Sequence, residues 1–413
     1  GSHWNRNGWV PQASLAQDGE LFVRPMFMLR HAPGSTAALE AFVAEVSTPG
    51  RAGYGSYLDM AALRERLPAA EGAREAVMDL LELYNVDSSK VSVSASGDMI
   101  HAEVPAAVAG AMFAAEFRQY MHPETKRRIV RATKGYTVPA QIAEHVYLVG
   151  NLNEFPDVRR LIQVETPEAS STGFGRDCSL WCGGKVTPGV LAARYGLNAS
   201  EGLRISSSDT GMATAEFQGV YYDNSSLNYF QSSCSLKPKV QVDHQIGTNL
   251  AWHCLTGGIC TEALLDIEYA KAVSGGISLT NIFNDDYSLL NWAKQVDDLG
   301  DAAPSVHSIS YGDDENQQED HAPSGMSGHA YMEAVNMQFV KLAARGISVM
   351  VASGDQGVCG RHGCSKLGFN PDFPASSPYV TAVGGTDFVV RSVVGEEQAW
   401  SNSGGGFSDE FAR

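Results

Sequence analysis

The feature that most constrains the fold is a helix-like segment that leads directly into an apolar strand and a glycine-rich turn. Residues 329–345 carry apolar side chains on one face, and Gly346 follows them as a typical helix-ending glycine. Residues 347–352 form a short apolar run that predicts a buried strand, and the turn 353–357 that follows holds Asp355. Catalytic and ligand-binding groups collect at the carboxyl ends of strands in open α/β sheets, so Asp355 is a candidate functional residue. The alternative is a turn aspartate that only caps the next segment.

The same alternation of strand and helix extends over the chain from about residue 186. Strands separated by helices imply a parallel sheet with helices on both faces, joined by right-handed crossovers. The predicted strands cover residues 212–217, 277–283, 305–310, 347–352 and 379–384, and the predicted helices cover 188–195, 262–273, 287–296 and 329–345.

Residues 20–150 follow a different order, in which a strand, three helices, a hairpin, a helix and further strands succeed one another. This order is typical of a ferredoxin-like α+β unit. Three of its histidines are predicted to be ordinary surface or core residues, namely His31, His101 and His122. The following stretch has prolines, a Ser/Thr/Gly cluster and little periodicity, which predicts a linker. The predicted organisation is therefore an α+β domain at 1–150, a linker at 151–185 and an α/β domain at 186–413.

Charge and hydropathy exclude two classes of partner. The net charge of −17 and the pI near 5.0 argue against binding to nucleic acid, which requires a basic face. The longest apolar run is shorter than the roughly 18 residues of a membrane helix, so no membrane span is predicted. No signal peptide is visible, and the opening Gly1-Ser2-His3 resembles a cloning remnant or a processed start, so targeting information is expected to have been removed.

The seven cysteines favour disulfides in an oxidising compartment over a metal site, because no Cys-x-x-Cys pair is present. Three close spacings predict short disulfide loops, and the odd cysteine is expected to be a thiol or to have its partner outside the chain. Two sequons, at Asn198 and Asn224, are candidate glycosylation sites. The candidate disulfide residues are Cys178 with Cys182, Cys254 with Cys260, and Cys359 with Cys364.

Two further carboxyl groups, Glu262 and Asp266, lie four residues apart on one predicted helix and therefore share a face. In such a pair one carboxylate can take a proton while the other orients it. The alternative is a solvated helix face. Together with Asp355 they form the only set of residues with catalytic potential, because the sequence contains no His-Glu-x-x-His, no phosphate-binding loop and no Gly-x-Ser-x-Gly.

Several stretches around these carboxyls resemble the sedolisins, the serine-carboxyl peptidases. Residues 261–270 resemble the family's Glu/Asp helix, and four further stretches agree with the family in the same order. The most specific of them is the run Pro374-Ala-Ser-Ser-Pro-Tyr-Val-Thr381. The other matching stretches are 306–315, 352–357 and 403–408, then 54–58, 136–140 and 145–149 for the family's prodomain, and 186–188, 195–197 and 213–217 for the start of its peptidase domain.

The resemblance implies a subtilisin-like α/β peptidase domain, preceded by a prodomain that blocks the active-site cleft. In such an enzyme a serine is the nucleophile, Glu262 is the general base, Asp266 holds and tunes Glu262, and Asp355 stands in the oxyanion hole. A carboxyl group donates a hydrogen bond only when protonated, which implies activity at acidic pH, in a lysosome or another acidic compartment, or in a secreted enzyme. Backbone groups of Ser310, Tyr311 and Gly312 would bind the peptide or protein substrate, and release of tripeptides from free N-termini is one implied activity.

One departure from the family pattern concerns the nucleophile. The family's Ser-Gly-Thr-Ser-Ala motif follows the stretch at 403–408, and no Gly-Thr-Ser occurs in these 413 residues. The calcium site that the family implies would also lie beyond Arg413. The nucleophile is therefore expected on a separate chain or on a C-terminal segment lost by truncation. The alternative is a catalytically inactive, structural or binding relative completed by a partner chain.

The acidic run at residues 313–320 is predicted to be a solvated loop. The alternative is that one of its carboxylates binds the amino terminus of a substrate.

Overall fold

The computed structural model describes residues 6–12, 21–156, 175, 177–178, 182–197, 210–255, 260–361, 363–364, 368–390 and 393–412. The chain divides into two compact units. The first comprises Gly1–Val158, Ser288–Ala303 and Asn316–Ile347, and the second comprises Arg159–Tyr287, Pro304–Glu315 and Ser348–Arg413. The boundaries at residues 150 and 186 stay a prediction, and most of the linker at 151–185 lies outside the described residues.

The N-terminal 156 residues supply strands and helices to the first unit. The strands are β1 (Val10–Pro11), β2 (Phe22–Val23), β3 (Met26–Leu29), β4 (Val91–Val93), β5 (Met99–Ala102), β6 (Val104–Pro105), β7 (Phe117–Met121), β8 (Arg128–Ala132) and β9 (Val146–Gly150). The helices are α1 (Ser35–Ser47), α2 (Met60–Arg66), α3 (Ala73–Leu83), α4 (Ala106–Phe113) and α5 (Ala140–Ala143).

Four of these strands confirm the predicted ferredoxin-like unit. They form an antiparallel sheet in the order β4-β5-β3-β9. Helices α1 to α3 connect β3 to β4, and α4 follows β5, which gives the split βαβ topology. Alternate strand residues such as Phe27, Ile100 and Val149 point to one face and pack against Val77 and Phe113 of the helices. The remaining strands form a β1-β7-β8 sheet and a β2-β6 pair.

The rest of the chain contributes a second series of elements. The helices are α6 (Pro188–Tyr195), α7 (Asn224–Ser233), α8 (Trp252–Leu255), α9 (Thr261–Ser274), α10 (Leu289–Asp298), α11 (Gln318–His321) and α12 (Gly328–Ala344). The strands are β10 (Gly211–Phe217), β11 (His244–Ile246), β12 (Ser278–Asn284), β13 (Val306–Ile309), β14 (Asp313–Asp314), β15 (Ser348–Ala352), β16 (Asp372–Phe373), β17 (Thr381–Val383), β18 (Thr386–Phe388) and β19 (Glu397–Ala399).

Six of these strands form one sheet in the order β11-β12-β10-β13-β15-β17. Every pair in it is parallel, which confirms the predicted α/β class. The central strand β10 is buried along residues 213–217, as expected for a strand covered on both faces. On one face, Ala263 and Ile267 of α9 pack with Leu227 of α7 and Leu279 of β12. The side of α9 that carries Ala263 and Ile267 is therefore occupied by core packing, and the opposite side can contact polar groups.

Local signals account for the ends of α12, the helix from which the fold was first predicted. The Ser327 side chain accepts a hydrogen bond from the Ala330 N–H and caps its first turn. At the other end Gly346 has a φ of +76°, a backbone conformation that glycine adopts without strain. The predicted helix at 329–345 and strand at 347–352 therefore agree with α12 and β15 to within one or two residues.

The disulfides correct one of the predicted pairs. Cys254 bonds to Cys260 and Cys359 to Cys364, as predicted. The prediction for Cys178 is wrong, because Cys178 bonds to Cys234 at the end of α7 and Cys182 keeps its thiol. Spacing alone does not determine connectivity, since folding brings cysteines 56 residues apart into contact.

Among the described residues, no helix is both long and apolar enough to cross a membrane.

Candidate active site

The pair of carboxyls on α9 lies on the side of the helix that does not pack into the core. Glu262 and Asp266 are both half-buried, whereas Ala263 and Ile267 are fully buried. Glu262 occupies the first helical turn, where the positive end of the helix dipole stabilises a carboxylate. The Cys254–Cys260 disulfide bonds the residue directly before this turn to α8. The structure thus presents both carboxyls from a fixed helix end.

Ser310 connects α9 to the parallel sheet. It follows β13 directly, and its Oγ donates a hydrogen bond to Asp266 Oδ1 at 2.9 Å. This contact brings Asp266 to the carboxyl end of β13, at the edge of the sheet where functional groups collect. The side chain of Ser310 therefore orients Asp266, a role that the sequence did not indicate.

Asp355 follows β15, the strand that pairs in parallel with β13. Neighbouring strands are about 4.8 Å apart, so the segments that follow β13 and β15 leave the same edge of the sheet side by side. Its carboxyl is half-buried and accepts no hydrogen bond within the part of the chain that the structure describes. The role of Asp355 at this edge of the sheet stays a prediction.

The Asp355 turn is held by the glycine-rich segment at 403–406. Gly404 N–H donates to Gly354 O at 2.8 Å, and Ser353 Oγ donates to Gly404 O at 2.9 Å. A side chain at Gly404 would place its Cβ 1.8 Å from Ser353 O, so only glycine fits here. Gly354, with a φ of +99°, needs the same freedom. These contacts explain why glycines occur at both positions.

The other predicted substrate-binding residues lie beside Ser310. Tyr311 is buried, and its hydroxyl donates to Glu216 Oε2 at 3.3 Å. Gly312 is covered by β16, since its Cβ would lie 3.1 Å from Phe373 O, and its carbonyl accepts from Arg361 Nη2 at 2.7 Å. The carbonyl of Gly312 thus has a partner from the protein, while the roles of all three residues in substrate binding stay predictions.

Glu216 is a buried carboxyl that sequence reasoning did not select. It lies near the end of the central strand β10, is 1 % exposed, and bonds to Tyr311 directly behind Ser310. The available signal was the single charged residue in the predicted strand 212–217. A carboxylate in a buried strand needs a dedicated partner, which marks Glu216 as a residue to examine.

The prediction of a solvated acidic loop at 313–320 is wrong for its first three residues. Asp313, Asp314 and Glu315 are buried. Asp314 accepts from Arg361 N–H at 3.0 Å, Asp313 contacts the Arg361 guanidinium, and Glu315 Oε2 accepts from Asp409 N–H at 3.0 Å. The run is polar in composition, but β14 pairs with β16 and carries these carboxylates into hydrogen-bonding positions.

A further carboxyl on α9, Glu268, has a shifted titration. Burial, and secondly the Asp223 carboxylate, raises the pKa of Glu268 to about 7. It lines a cavity of about 570 Å³ together with Tyr269 and the Cys178–Cys234 disulfide. This cavity lies on the side of α9 towards α7 rather than at the sheet edge that holds Asp266.

A calcium site and two glycosylation sites are expected from the sequence. Among the described residues, no group of three or more His, Cys, Asp or Glu side chains could hold a metal ion, and the calcium site that the family resemblance implies beyond Arg413 stays a prediction. Asn224 is exposed at the start of α7, and Asn198 lies outside the described residues. Glycosylation at both sequons stays a prediction.

Comparison with known proteins identifies the family of the chain. Residues 7–155 match the family model described as the Pro-kumamolisin activation domain. Mouse tripeptidyl-peptidase 1 is 31 % identical over 422 residues, which cover 98 % of this chain and 68 % of the mouse protein. The human protein of that name is 34 % identical over 312 residues, covering 72 % of this chain and 50 % of the human protein.

Among solved structures, Pseudomonas sedolisin, a serine-carboxyl proteinase complexed with two molecules of pseudo-iodotyrostatin, is 20 % identical with a TM-score of 0.40. The match covers 55 % of this chain and 64 % of that chain. The sequence matches to the tripeptidyl-peptidases span nearly the whole chain, and the activation-domain match covers its N-terminal part. On these matches the chain belongs to the sedolisin family of serine-carboxyl peptidases.

Proposed function

We propose that this chain is the proenzyme, or a fragment of the proenzyme, of an acid serine-carboxyl peptidase that hydrolyses peptide bonds and releases tripeptides from free N-termini. The observation that carries the proposal is the hydrogen bond from Ser310 to Asp266, which joins the α9 carboxyl pair to the sheet edge that Asp355 follows. Residues 7–155, which match an activation domain, would act as the inhibitory partner.

In the proposed reaction Glu262 takes the proton from a serine hydroxyl as the serine oxygen attacks the scissile carbonyl. Asp266 is held by Ser310 and in turn fixes the orientation of Glu262. It also stabilises the charges of the carboxyl pair during proton transfer. Asp355, in its protonated form, donates a hydrogen bond to the oxyanion that forms. The serine is supplied by a second chain or by residues that follow Arg413.

The need for a proton on Asp355 assigns the activity to an acidic setting, a lysosome-like compartment or an acidic exterior. A calcium ion bound outside these 413 residues would have a structural role.

The test uses the natural gene product, together with any chain that accompanies these 413 residues. Peptides with free and with acetylated N-termini are incubated with it at pH 4.5 and pH 7, and the products are identified by mass spectrometry. We expect hydrolysis at pH 4.5 that releases tripeptides only from the free N-termini. Glu262→Gln should lower kcat/KM by about 10²- to 10⁴-fold, the range for loss of a general base.

Glu319→Gln, at an exposed carboxyl on α11, is the matched control and should leave kcat/KM unchanged. In Asp355→Asn the side chain donates without needing a proton, so its residual activity should extend to higher pH. Hydrolysis that is unaffected by Glu262→Gln would refute the assignment of the base. Peptide binding without any hydrolysis would favour the non-catalytic relative instead.

A further inference from the structure

The four-stranded sheet of the first unit buries its second face as well as the face that packs against α3 and α4. Strand pairing places Met26 opposite His101 and Met28 opposite both Met99 and Leu148, so these side chains share that second face. The four apolar side chains among them are at most 4 % exposed. A second packing partner within the unit must therefore cover this face.

Helix α10, which belongs to the same unit, lies across this face. Three positions about one helical turn apart contact successive parts of the sheet. Asn291 exchanges hydrogen bonds with Asn151 after β9, at 3.1 and 3.2 Å, and Asp297 Oδ2 accepts from the Ser96 N–H in the β4–β5 hairpin at 2.7 Å. Lys294, between them, interacts electrostatically with His101 of β5.

Helix α12 adds a buried ion pair at the hairpin end of the sheet. Lys341 Nζ donates to both carboxylate oxygens of Asp98 at 3.0 Å, and His31 Nε2 lies 3.0 Å from Asp98 Oδ2. Burial opposes ionisation of Asp98, but the Lys341 ammonium, the His31 hydrogen bond and the Ser96 hydrogen bond hold its pKa well below its usual range. The Asp98 carboxyl therefore stays ionised throughout mildly acidic pH.

His101 behaves in the opposite way. The residue is half-buried, its Nε2 is buried from solvent, and this atom has no hydrogen-bond partner among the residues that the structure describes. Burial first, and the Lys294 ammonium second, lower the pKa of His101 to about 3. A proton on this ring would place a charge without an acceptor beside the Lys294 ammonium and opposite the apolar side chain of Met26.

We propose that His101 is an acid sensor whose protonation weakens the packing of α10 on the sheet of the activation domain. The activation-domain role on which this rests is part of the proposed function. Protonation of His101 in an acidic compartment would loosen the inhibitory region. Before acidification, the Asp98–Lys341 pair keeps the sheet and α12 aligned.

The charged groups around His101 support this assignment. From α10 it faces Lys294, whose Nζ is 2.6 Å from Asp298 Oδ2. Its strand neighbours Met26 of β3 and Ser92 of β4 are uncharged. Ionisable groups at the hairpin end of the sheet are Asp98, His31, Lys341 and Asp297, and Tyr147 of β9 interacts electrostatically with Glu333 of α12 and with Arg30.

The direction of the pH effect follows from proton linkage. When the packing opens, His101 regains an ordinary pKa near 6.5 and takes up a proton that the packed state excludes. The contribution of neutral His101 to the stability of the packing is therefore fully present above pH 6.5. This contribution is progressively lost as the pH falls towards 3. At pH 4.5 the equilibrium constant for packing should be roughly 100-fold lower on account of this group.

The test measures amide hydrogen exchange of the 413-residue chain at pH 7 and pH 4.5, corrected for the intrinsic pH dependence of exchange. In the wild type, protection of α10 and β5 should fall on acidification by roughly 100-fold more than in His101→Gln, whose side chain stays neutral. His329→Gln, at an exposed histidine of α12, should behave as the wild type.

Asp98→Asn should lower protection at both pH values to a similar extent. Equal acid responses in the wild type and His101→Gln would overturn the proposal. If His101→Gln does not fold, a histidine NMR titration of the wild type decides it. An apparent pKa of the His101 ring well below 6.5 supports the sensor, and titration of the ring near pH 6.5 overturns it. No readout requires catalysis, so failure of the sensor and failure of the proposed peptidase activity are distinguishable.

Discussion

Glu268 lies on α9 two residues beyond Asp266, and burial raises its pKa to about 7, with the Asp223 carboxylate as the second cause. Asp223 itself has a lowered pKa: burial opposes this, but hydrogen bonds from Ser225 and Ser226 outweigh it. Two nearby carboxyls thus differ because one is surrounded by donors and the other is not. Their residue types alone carry no information about this difference.

A pH-dependent stability follows for Glu268. Its folded pKa is above its ordinary value, so its contribution is complete below about pH 4.5 and is lost as pH rises through 7. Glu268→Gln should therefore stabilise the protein by about 1 kcal/mol at pH 8, after allowance for solvent screening, and have little effect at pH 4. Urea unfolding at both pH values measures this. Glu396→Gln, at an exposed carboxyl, is the control, and equal effects of Glu268→Gln at both pH values would contradict the prediction.

The acidic run at 313–320 illustrates the limit of sequence at the residue scale. Its charge density predicts a solvated loop, yet Asp314 is 0 % exposed and bonds to the Arg361 backbone. Arg361 is 47 residues further along the chain. Hydrogen-bond partners at that separation are supplied by the fold and cannot be identified from local composition.

At the scale of elements, periodicity in the sequence was a reliable guide. Helices α9 and α12 and strands β10, β12, β13 and β15 lie where the alternation of apolar runs and amphipathic segments predicts them. The period of apolar residues reports which face of an element is buried, and that depends mainly on local geometry. What periodicity did not reveal is the contact between the Asp355 turn and the segment at 403–406.

That contact gives a prediction for Gly404. Gly404→Ala places Cβ 1.8 Å from Ser353 O, so the segment must move away from the turn that holds Asp355. We expect a loss of about 1–3 kcal/mol in unfolding free energy, as for other overpacked sites, measured by urea denaturation. Gly405→Ala is the matched control, because its Cβ would meet nothing nearer than Val358 Cγ1 at 4.0 Å. The prediction fails if both variants unfold at the same urea concentration.

At the scale of the whole molecule, the two compact units do not follow the order of the chain. Helices α10 and α12 occur between parallel strands in the sequence, yet they group with the N-terminal 158 residues. The Cys178–Cys234 disulfide is a second connection between distant parts of the chain. Neither the grouping of these helices nor this disulfide can be identified from the local sequence pattern.

The disulfide connectivity is directly testable. Non-reducing peptide mapping of the 413-residue chain should find Cys178 linked to Cys234, and Cys182→Ser should leave that linkage intact. Since the bond closes a loop of 56 residues, Cys234→Ala should reduce stability by roughly 4 kcal/mol on chain-entropy grounds. A peptide that links Cys178 to Cys182 would contradict the structure and restore the prediction from spacing.

The sequence by itself determined the α/β class, the ferredoxin-like N-terminal unit and the candidate carboxyls Glu262, Asp266 and Asp355, because these depend on periodicity and on short motifs. The tertiary structure alone decided that Ser310 holds Asp266, that Glu216 lies behind Tyr311, and that Cys178 pairs with Cys234. It also decided that His101 interacts with Lys294 of α10 and that its Nε2 has no hydrogen-bond partner within the described part of the chain. The physical reason is that burial, hydrogen-bond partners and electrostatic neighbours are set by residues far apart in sequence, which only the folded chain brings together.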